Sequence, residues 1–223
     1  MKATNFLLLL SIQAPATLAD SSSKLLLSFV DASVESFKWM AENDPVMGGV
    51  SESNITVQTE WLAWGGECKI VPSLEAPGFC IAQTYGAPIL GNCSGFSHLS
   101  FTVRSDPEKP YQGFKIDFST LLHPNTQFTS FKADFPDIFY NTSDTDDSSS
   151  FHTVTLPFTA FTWDWSSYTG EPIHPCGSGD NEKYCPSERD LSSITQIGFW
   201  AEGVEGTFSL DIQDVGCVSK DAN

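Results

Sequence analysis

Short runs with β character recur along this 223-residue chain, and they constrain its fold more than any other feature. In one of them Phe114, Ile116 and Phe118 face one side of an extended chain. Lys115 and Asp117 face the other side, which is the alternation of a half-buried strand. Roughly ten such runs occur and no long stretch shows a helical period, so the pattern predicts an all-β sandwich or barrel. The runs cover residues 25–30, 50–59, 68–71, 79–85, 99–104, 113–118, 128–135, 151–158, 194–201 and 207–215.

The N-terminus has the layout of a secretory signal peptide. Lys2 supplies a positive charge, residues 6–12 are mostly apolar, and residues 17–19 offer small side chains to a signal peptidase. We therefore predict a signal peptide over 1–19, a single domain over 20–223, and a secreted or extracellular location. The apolar run is too short to cross a bilayer, so no membrane insertion of the mature form is expected. The rival interpretation, a mitochondrial transit peptide, is Arg-rich, whereas the first arginine here is Arg104.

The cysteines agree with secretion because an even set in an oxidising compartment predicts disulfides throughout. The sequence alone leaves their pairing open. We favour one bridge across a hairpin, one that closes a long loop and one that ties an inner strand to the last strand. The predicted pairs are Cys68–Cys80, Cys176–Cys185 and Cys93–Cys217, in that order.

Three sequons predict N-glycosylation of a secreted surface. They begin at Asn54, Asn92 and Asn141. In each of them a Ser or Thr follows two residues later and no proline intervenes.

The charge balance limits the possible partners. Asp and Glu number 28 against 11 Lys and Arg, which gives a formal net charge of −17. Nucleic acids and anionic membranes both need a basic face, so neither is expected as a partner. A protein or a glycan remains, and the sequence makes no prediction of the oligomeric state.

A short segment after the first strand has the chemistry of a structured turn. Asn and Asp close local side-chain hydrogen bonds, and a Gly-Gly pair permits positive φ or a close backbone approach. Its residues are Trp39, Asn43, Asp44, Met47, Gly48, Gly49 and Ser51. This turn resembles the signature of the NADH:ubiquinone oxidoreductase complex I intermediate-associated protein 30 family.

The resemblance extends over about residues 29–217. Its further pieces are residues 78–79, 99–106, 111, 155–158, 161, 194–199 and 206–212. The resemblance implies a jelly-roll β-sandwich of the galactose-binding type, with long loops. It also implies a non-catalytic role with a protein partner, because the family's namesakes help to assemble mitochondrial complex I. Three features depart from the family pattern: Pro45 replaces a more usual Gly, residues 162–170 lack an expected Arg-Gly, and the loop over 170–189 is long.

A cluster of aromatic residues suggests a sugar-binding platform. In an extended segment Trp163 and Trp165 lie on the same side, with the carboxylate of Asp164 between them and Tyr168 close behind. Exposed indole faces stack on sugar rings, and a neighbouring carboxylate orients hydroxyl groups. The alternative is that these side chains belong to the core or cover a sheet edge.

No enzyme signature is present, so we predict neither catalysis nor a cofactor. Asp164 and Glu171, flanked by aromatic residues, are the first carboxylates to test for glycosidase activity. No metal site is predicted from the spacing of ligands. By analogy with jelly-roll binding modules, Asp31, Asp211 and Asp214 are candidates for a structural calcium ion, and solvated strand-end carboxylates are the alternative.

Three functions therefore compete. The first is a secreted, non-catalytic protein-binding or assembly module, as the family resemblance implies. The second is a lectin-like carbohydrate-binding module, and the third is a glycoside-active enzyme.

Overall fold

The computed structural model describes residues 22–34, 37–44, 48–106, 111–123, 130–140, 150–166, 169–177 and 179–219. These residues form thirteen strands, two single-turn α-helices and two 3-10 turns. The strands are β1 (Ser23–Ser28), β2 (Lys38–Asn43), β3 (Glu52–Val57), β4 (Leu62–Cys68), β5 (Ile70–Val71), β6 (Ala76–Pro77), β7 (Phe79–Tyr85), β8 (His98–Ser105), β9 (Phe114–Thr120), β10 (Phe131–Asp134), β11 (His152–Pro157), β12 (Ile194–Glu202) and β13 (Gly206–Val218). The α-helices are α1 (Asp137–Tyr140) and α2 (Glu188–Leu191), and the 3-10 turns are Phe158–Ala160 and Asn181–Tyr184.

Two antiparallel sheets form a sandwich. One runs in the order β11-β8-β13-β4-β3, with β1 also paired to β13. The other runs in the order β10-β9-β12-β7-β2, and β5 and β6 form a separate hairpin. From β7 to β9 and again from β10 to β13, each strand crosses to the sheet opposite the strand before it. This connectivity confirms the predicted all-β jelly-roll sandwich.

The two sheets are joined by an aromatic core. Phe101 on β8 meets Phe199 on β12 edge to face, with ring centroids 5.9 Å apart. The ring centroids of Trp64 on β4 and Phe114 on β9 lie 6.3 Å apart. Each contact therefore links one sheet to the other. Burying an aromatic side chain of this size stabilises the fold by about 1.5–3 kcal/mol.

The predicted alternation along β9 is confirmed. Phe114, Ile116 and Phe118 belong to the core. Lys115 and Asp117 lie on the opposite face, but they are also buried, at 5% and 4% exposure. β9 is thus covered on both faces, which the alternation alone does not reveal.

Two of the three predicted disulfides are formed. Cys93 and Cys217 join the segment before β8 to the end of β13, with Cα atoms 5.8 Å apart. Cys176 and Cys185 close the long loop, with Cα atoms 5.0 Å apart.

The third predicted pair is wrong, since Cys68 and Cys80 are free, buried thiols. They do not face each other across a hairpin, because Cys68 ends β4 in one sheet and Cys80 lies on β7 in the other. The Cys68 thiol lies 3.1 Å from the Gly78 carbonyl oxygen, and the Cys80 thiol lies 4.0 Å from that of Glu67. Burial raises the pKa of both thiols, that of Cys80 to about 12, so both stay protonated at neutral pH.

The predicted glycosylation sites differ in their surroundings. Asn54 is exposed on the edge strand β3. Asn92 is exposed beside the Cys93 bridge, and its side-chain oxygen accepts hydrogen bonds from the backbone N–H and hydroxyl of Ser94. Asn141 and the predicted signal peptide lie outside the described residues. Glycosylation and cleavage both stay predictions.

Within the described ranges, no helix is long and apolar enough to span a lipid bilayer.

Candidate ligand-binding cleft on the five-stranded sheet

The outer face of the five-stranded sheet carries polar side chains at its centre. Since Phe118 and its neighbours on β9 point into the core, Asp117 and Ser119 point to the opposite face. The strand register places Asp117 opposite Gly198 on β12, and Gly198 opposite Gln83 on β7. Ser119 lies opposite Gln196 in the same way.

Gly198 leaves room for the Asp117 carboxyl at the middle of this face. A Cβ atom built on Gly198 would lie 2.2 Å from Oδ1 of Asp117, so only glycine fits beside that carboxyl. Gln196 and Trp200, two residues to either side on β12, flank Gly198 on the same face. A glycine inside a strand often marks a place where another group approaches the backbone closely. We call this polar group on the outer sheet face the sheet-face cleft and define it as Gln83, Asp117, Ser119, Gln196, Gly198 and Trp200.

The two amides of the cleft are held in fixed orientations. Gln83 donates from Nε2 to the Glu42 carboxylate at 2.9 Å and accepts from Nε2 of Gln196 at 2.8 Å. Gln196 also donates to the backbone oxygen of Thr84 at 2.9 Å. These hydrogen bonds orient the polar side of the cleft before any ligand arrives.

Two buried polar atoms of the cleft, Ser119 Oγ and Trp200 Nε1, make no hydrogen bond of ordinary geometry with the described residues. The Trp200 N–H lies near the Asp117 carboxyl. Trp64 Nε1 also makes no hydrogen bond with the described residues, but it lies in the aromatic core between the sheets. An unsatisfied buried donor costs roughly 1–3 kcal/mol, and a water molecule or a ligand removes that cost. The two orphan groups therefore point to an occupant of the cleft.

Burial sets the protonation of Asp117. It raises the pKa of this carboxyl to about 6, although the Ser130 and Trp200 side chains and the Lys132 charge act in the opposite direction. The Trp200 N–H therefore lies close enough to the carboxyl to stabilise its charged form. Below about pH 6 Asp117 is a hydrogen-bond donor as well as an acceptor, and above that pH it only accepts.

A cluster of lysines and indoles forms one end wall of the cleft. The Lys132 ammonium lies 4.8 Å from the Trp165 ring centre and 4.2 Å from that of Trp200. It also pairs with the Glu202 carboxylate at 2.7 Å. Lys115 lies 5.0 Å from the Trp165 ring and forms an ion pair with Asp134. Both lysine charges are therefore neutralised within the protein.

The predicted aromatic platform is divided. The indole N–H of Trp165 donates to the Thr162 carbonyl at 2.8 Å, while its ring meets the two lysines. The indole N–H of Trp163 donates to the Lys183 carbonyl at 3.0 Å, and its ring lies 5.1 Å from that of Tyr184. Both indoles are half-buried and have separate neighbours, so only Trp165 reaches the end wall of the cleft.

The polar residues predicted beside this platform also have other surroundings. Asp164 accepts a 2.5 Å hydrogen bond from His174, and Glu171 is exposed. Tyr168 lies outside the described residues. Ligand binding by this set of four stays a prediction.

The signature turn is built around the buried Asp44 side chain. A Cβ atom on Gly49 would lie 2.3 Å from the Asp44 backbone oxygen, and one on Gly78 would lie 2.4 Å from Oδ2. Gly48 has φ of +85°, in the left-handed region that favours glycine. The Gly-Gly pair thus serves one close approach and one special backbone conformation.

The other signature residues connect the two sheets. Asn43 on β2 accepts from the Ser53 hydroxyl on β3 at 2.6 Å. Ser51 Oγ accepts from the Lys69 backbone N–H at 3.0 Å, and Trp39 packs against the core. These contacts give the signature a structural role. Met47 lies outside the described residues.

The three candidate calcium ligands make separate interactions. Asp31 accepts from the Ser33 backbone and hydroxyl, Asp214 accepts from the Ser28 hydroxyl, and Asp211 pairs with Arg104 at 2.6 Å. Within the described ranges no three His, Cys, Asp or Glu side chains form a group able to hold a metal ion.

The sequence patterns did not predict the cleft as a site. The alternation of β9 places Asp117 away from the core, and this was the available signal. The partners of Asp117 come from strands distant in sequence, and no periodicity reveals their register.

The comparisons place the chain in a family. The sequence model of the complex I intermediate-associated protein 30 family matches residues 27–212. No curated protein matches the chain.

Several solved structures are similar to this chain in fold. The family 11 carbohydrate-binding module of the cellulase Lic26A-Cel5E from Clostridium thermocellum is 16% identical, with a TM-score of 0.49, over 90% of this chain and 96% of its own. The same organism's family 11 module in complex with a β-1,3-1,4-mixed-linked tetrasaccharide is 17% identical, with a TM-score of 0.48, over 90% and 98%. An exo-1,3/1,4-β-glucanase from a Pseudoalteromonas species is 13% identical, with a TM-score of 0.45, over 95% of this chain and 23% of the enzyme.

Proposed function

The chain belongs to the complex I intermediate-associated protein 30 family, and we propose that it is a non-catalytic module that binds a neutral carbohydrate in the sheet-face cleft. One observation carries the proposal. Ser119 Oγ and Trp200 Nε1 are buried, make no hydrogen bond of ordinary geometry with the described residues, and lie on the same sheet face beside Asp117 and Gly198. A hydroxyl-rich ligand supplies partners for both.

The mixture of polar groups in the cleft suits sugar hydroxyls. A hydroxyl both donates and accepts, and the cleft offers a Ser hydroxyl, two Gln amides, an indole N–H and a carboxyl. The Trp200 ring packs against Phe79 at 5.4 Å and lies 4.2 Å from the Lys132 ammonium, so Trp200 contributes its N–H rather than a stacking face. Ligand sites commonly use a few fixed polar groups in this manner.

The charges around the cleft favour a neutral sugar over an acidic one. Lys115 and Lys132 are both engaged in ion pairs with acidic residues of the protein. The net charge of the whole chain is −17, so an acidic polysaccharide is repelled at long range. A neutral oligosaccharide needs no free lysine as a partner and is not repelled by the net negative charge.

Binding without catalysis follows from the way the carboxyls are held. Glycoside hydrolysis commonly needs two carboxyl groups, one on each side of the scissile bond. Asp117 is the one carboxyl in the cleft as defined, and the neighbouring carboxylates of Glu42 and Glu202 bond to Gln83 and Lys132. We therefore expect retention of sugars with no release of reducing ends.

The test compares variants of the two orphan groups on an array of neutral and uronic-acid oligosaccharides. Trp200→Phe and Ser119→Ala remove the N–H and the hydroxyl, and each is expected to weaken binding of neutral glycans by about tenfold. Trp61→Phe and Ser209→Ala, at the other sheet, are matched controls expected to bind as the wild type does. Equal binding by all four variants, or binding of acidic glycans alone, contradicts the proposal.

Assembly with a protein is the second candidate, and family membership favours it. The formed Cys93–Cys217 and Cys176–Cys185 bridges support a secretory rather than a mitochondrial setting for either function. Fractionation of cells that express the tagged full-length protein separates the two settings. Recovery from the mitochondrial matrix with reduced cysteines, together with a co-purifying protein and no glycan binding, supports the assembly function instead.

A further inference from the structure

A cavity of about 810 Å³ lies at the side of the sandwich, away from the sheet-face cleft. It lies between the turn that follows β1 and the turn between β3 and β4. Trp39 lines it from the core side of β2, whereas the cleft occupies the outer face of the same sheet. A cavity of this size suits a small molecule.

Aromatic side chains form the apolar part of this cavity. Phe29, Phe37 and Trp39 all line it, and each is half-buried. The rings of Phe29 and Trp39 lie 6.1 Å apart, and Trp39 stacks at 6.5 Å on the core residue Phe199. The core thus holds the indole in place at the base of the cavity.

Two short turns set the walls. Ser28 Oγ accepts from the Asp31 backbone N–H at 2.8 Å, and Asp31 in turn accepts from the backbone and the hydroxyl of Ser33 at 2.9 and 2.6 Å. Across the cavity, Gln58 N donates to the Trp61 carbonyl at 2.8 Å and closes the β3–β4 hairpin. Both walls are therefore formed without a ligand.

The charges that line the cavity are all negative. Asp31 and Glu60 line it and are exposed, and none of its described lining residues is a lysine, arginine or histidine. The hydrogen bonds from Ser33 lower the pKa of Asp31, which keeps that carboxylate ionised at neutral pH. Aromatic faces beside carboxylates attract an organic cation through cation–π and ionic contacts.

We propose that this cavity binds a small organic cation with an apolar body, such as a substituted ammonium ion. Its methyl or methylene groups pack on the rings of Phe29, Phe37 and Trp39, and its charge faces Asp31 and Glu60. The site is independent of the sheet-face cleft, so one is able to bind while the other is empty.

The test uses three probes of similar size and different charge. Benzyltrimethylammonium, benzyl alcohol and phenylmethanesulfonate are titrated into the full chain, and binding is followed by NMR shifts of the Trp39 indole. We expect the cation to bind, the alcohol to bind more weakly and the anion not to bind. High salt is expected to weaken binding of the cation and to leave that of the alcohol unchanged.

Variants then locate the charge effect. Glu60→Gln, at an exposed position, is expected to weaken binding of the cation by about threefold and to leave that of benzyl alcohol unchanged. Glu205→Gln, an exposed change outside the cavity, is the matched control. Equal binding of the three probes, no binding of the cation, or an unchanged Glu60→Gln variant overturns the proposal. Binding of a lysine-rich peptide in place of the small cation also overturns it.

Discussion

Asp117 and Gly198 lie directly opposite each other on β9 and β12, and the glycine provides the space that the buried carboxyl occupies. Any side chain at 198 would begin 2.2 Å from Oδ1 of Asp117. The pair therefore fixes the middle of the sheet-face cleft. It also explains how an acidic residue comes to be 4% exposed on the outer face of a sheet.

Gly198→Ala is expected to destabilise the fold by about 1–3 kcal/mol, because the new methyl group displaces the Asp117 carboxyl. For a domain of this size that lowers the melting temperature by roughly 2–4 °C for each kcal/mol. The double variant Gly198→Ala, Asp117→Ala relieves the clash, so its loss is expected to be smaller than the sum of the single losses. A strictly additive thermal-melting cycle would contradict the steric account.

Stability is expected to depend on pH through Asp117. Its pKa is raised from an ordinary 3.8 to about 6, so the folded state binds this proton more tightly than the unfolded state does. The resulting penalty is absent below the ordinary pKa, grows as pH rises toward about 6, and is constant above that. The pKa of Asp190 is lowered, so the stability that this carboxylate contributes is lost only in more acidic solution. Its contribution to the free energy of unfolding is therefore constant between about pH 5 and 7.5.

The corresponding variant is Asp117→Asn. We expect the wild type to melt at a higher temperature at about pH 5 than at about pH 7.5, and the variant to lose most of that difference. The shift of about two pKa units sets an upper limit of roughly 3 kcal/mol. Thermal melts followed by circular dichroism measure both proteins. An unchanged pH dependence in the variant would show that other groups are responsible.

The two signature glycines are expected to respond differently to alanine. Gly49→Ala places a methyl group 2.3 Å from the Asp44 backbone oxygen, so the turn has to shift. Gly48→Ala finds open space and costs only the strain of positive φ, about 1–2 kcal/mol. Urea unfolding should therefore rank Gly49→Ala as the less stable variant. The reverse order would be inconsistent with a structural role for Gly49.

Peptide mapping without reduction tests the cysteine assignment. We expect crosslinked peptides for Cys93–Cys217 and Cys176–Cys185. Cys68 and Cys80 are expected as thiols that react with an alkylating reagent only after unfolding, because both are buried. A crosslinked Cys68–Cys80 peptide would refute this assignment.

Local patterns predicted the all-β class, and the family resemblance selected the jelly roll. Alternation in residues 114–118 predicted which side chains of β9 face the core, and the structure confirms it. The Cys68–Cys80 bridge failed because the small β5–β6 hairpin lies between the two residues and the chain then enters the other sheet. No local signal distinguishes that route from a simple hairpin.

The candidate site was harder to predict because it depends on distant pairing. Gln83, Asp117 and Gly198 become neighbours through the register of β7, β9 and β12. Trp163 and Trp165 would share a side in an extended strand, but that segment makes only single bridges, from Thr162 to Lys132 and from Trp165 to Pro172. The two indoles therefore have separate neighbours, and ligand binding by the predicted platform stays a prediction.

The most direct test of the carbohydrate proposal is an NMR titration of the indole N–H groups. The titrant is the neutral oligosaccharide that is retained best on the array. We predict that the Trp200 Nε1–H resonance shifts in a saturable manner, because the ligand supplies its missing acceptor. The Trp64 Nε1–H, also unpartnered but enclosed in the core, should stay in place. Shifts at Trp163 with none at Trp200, or no shift at any indole, would contradict the assignment of the cleft.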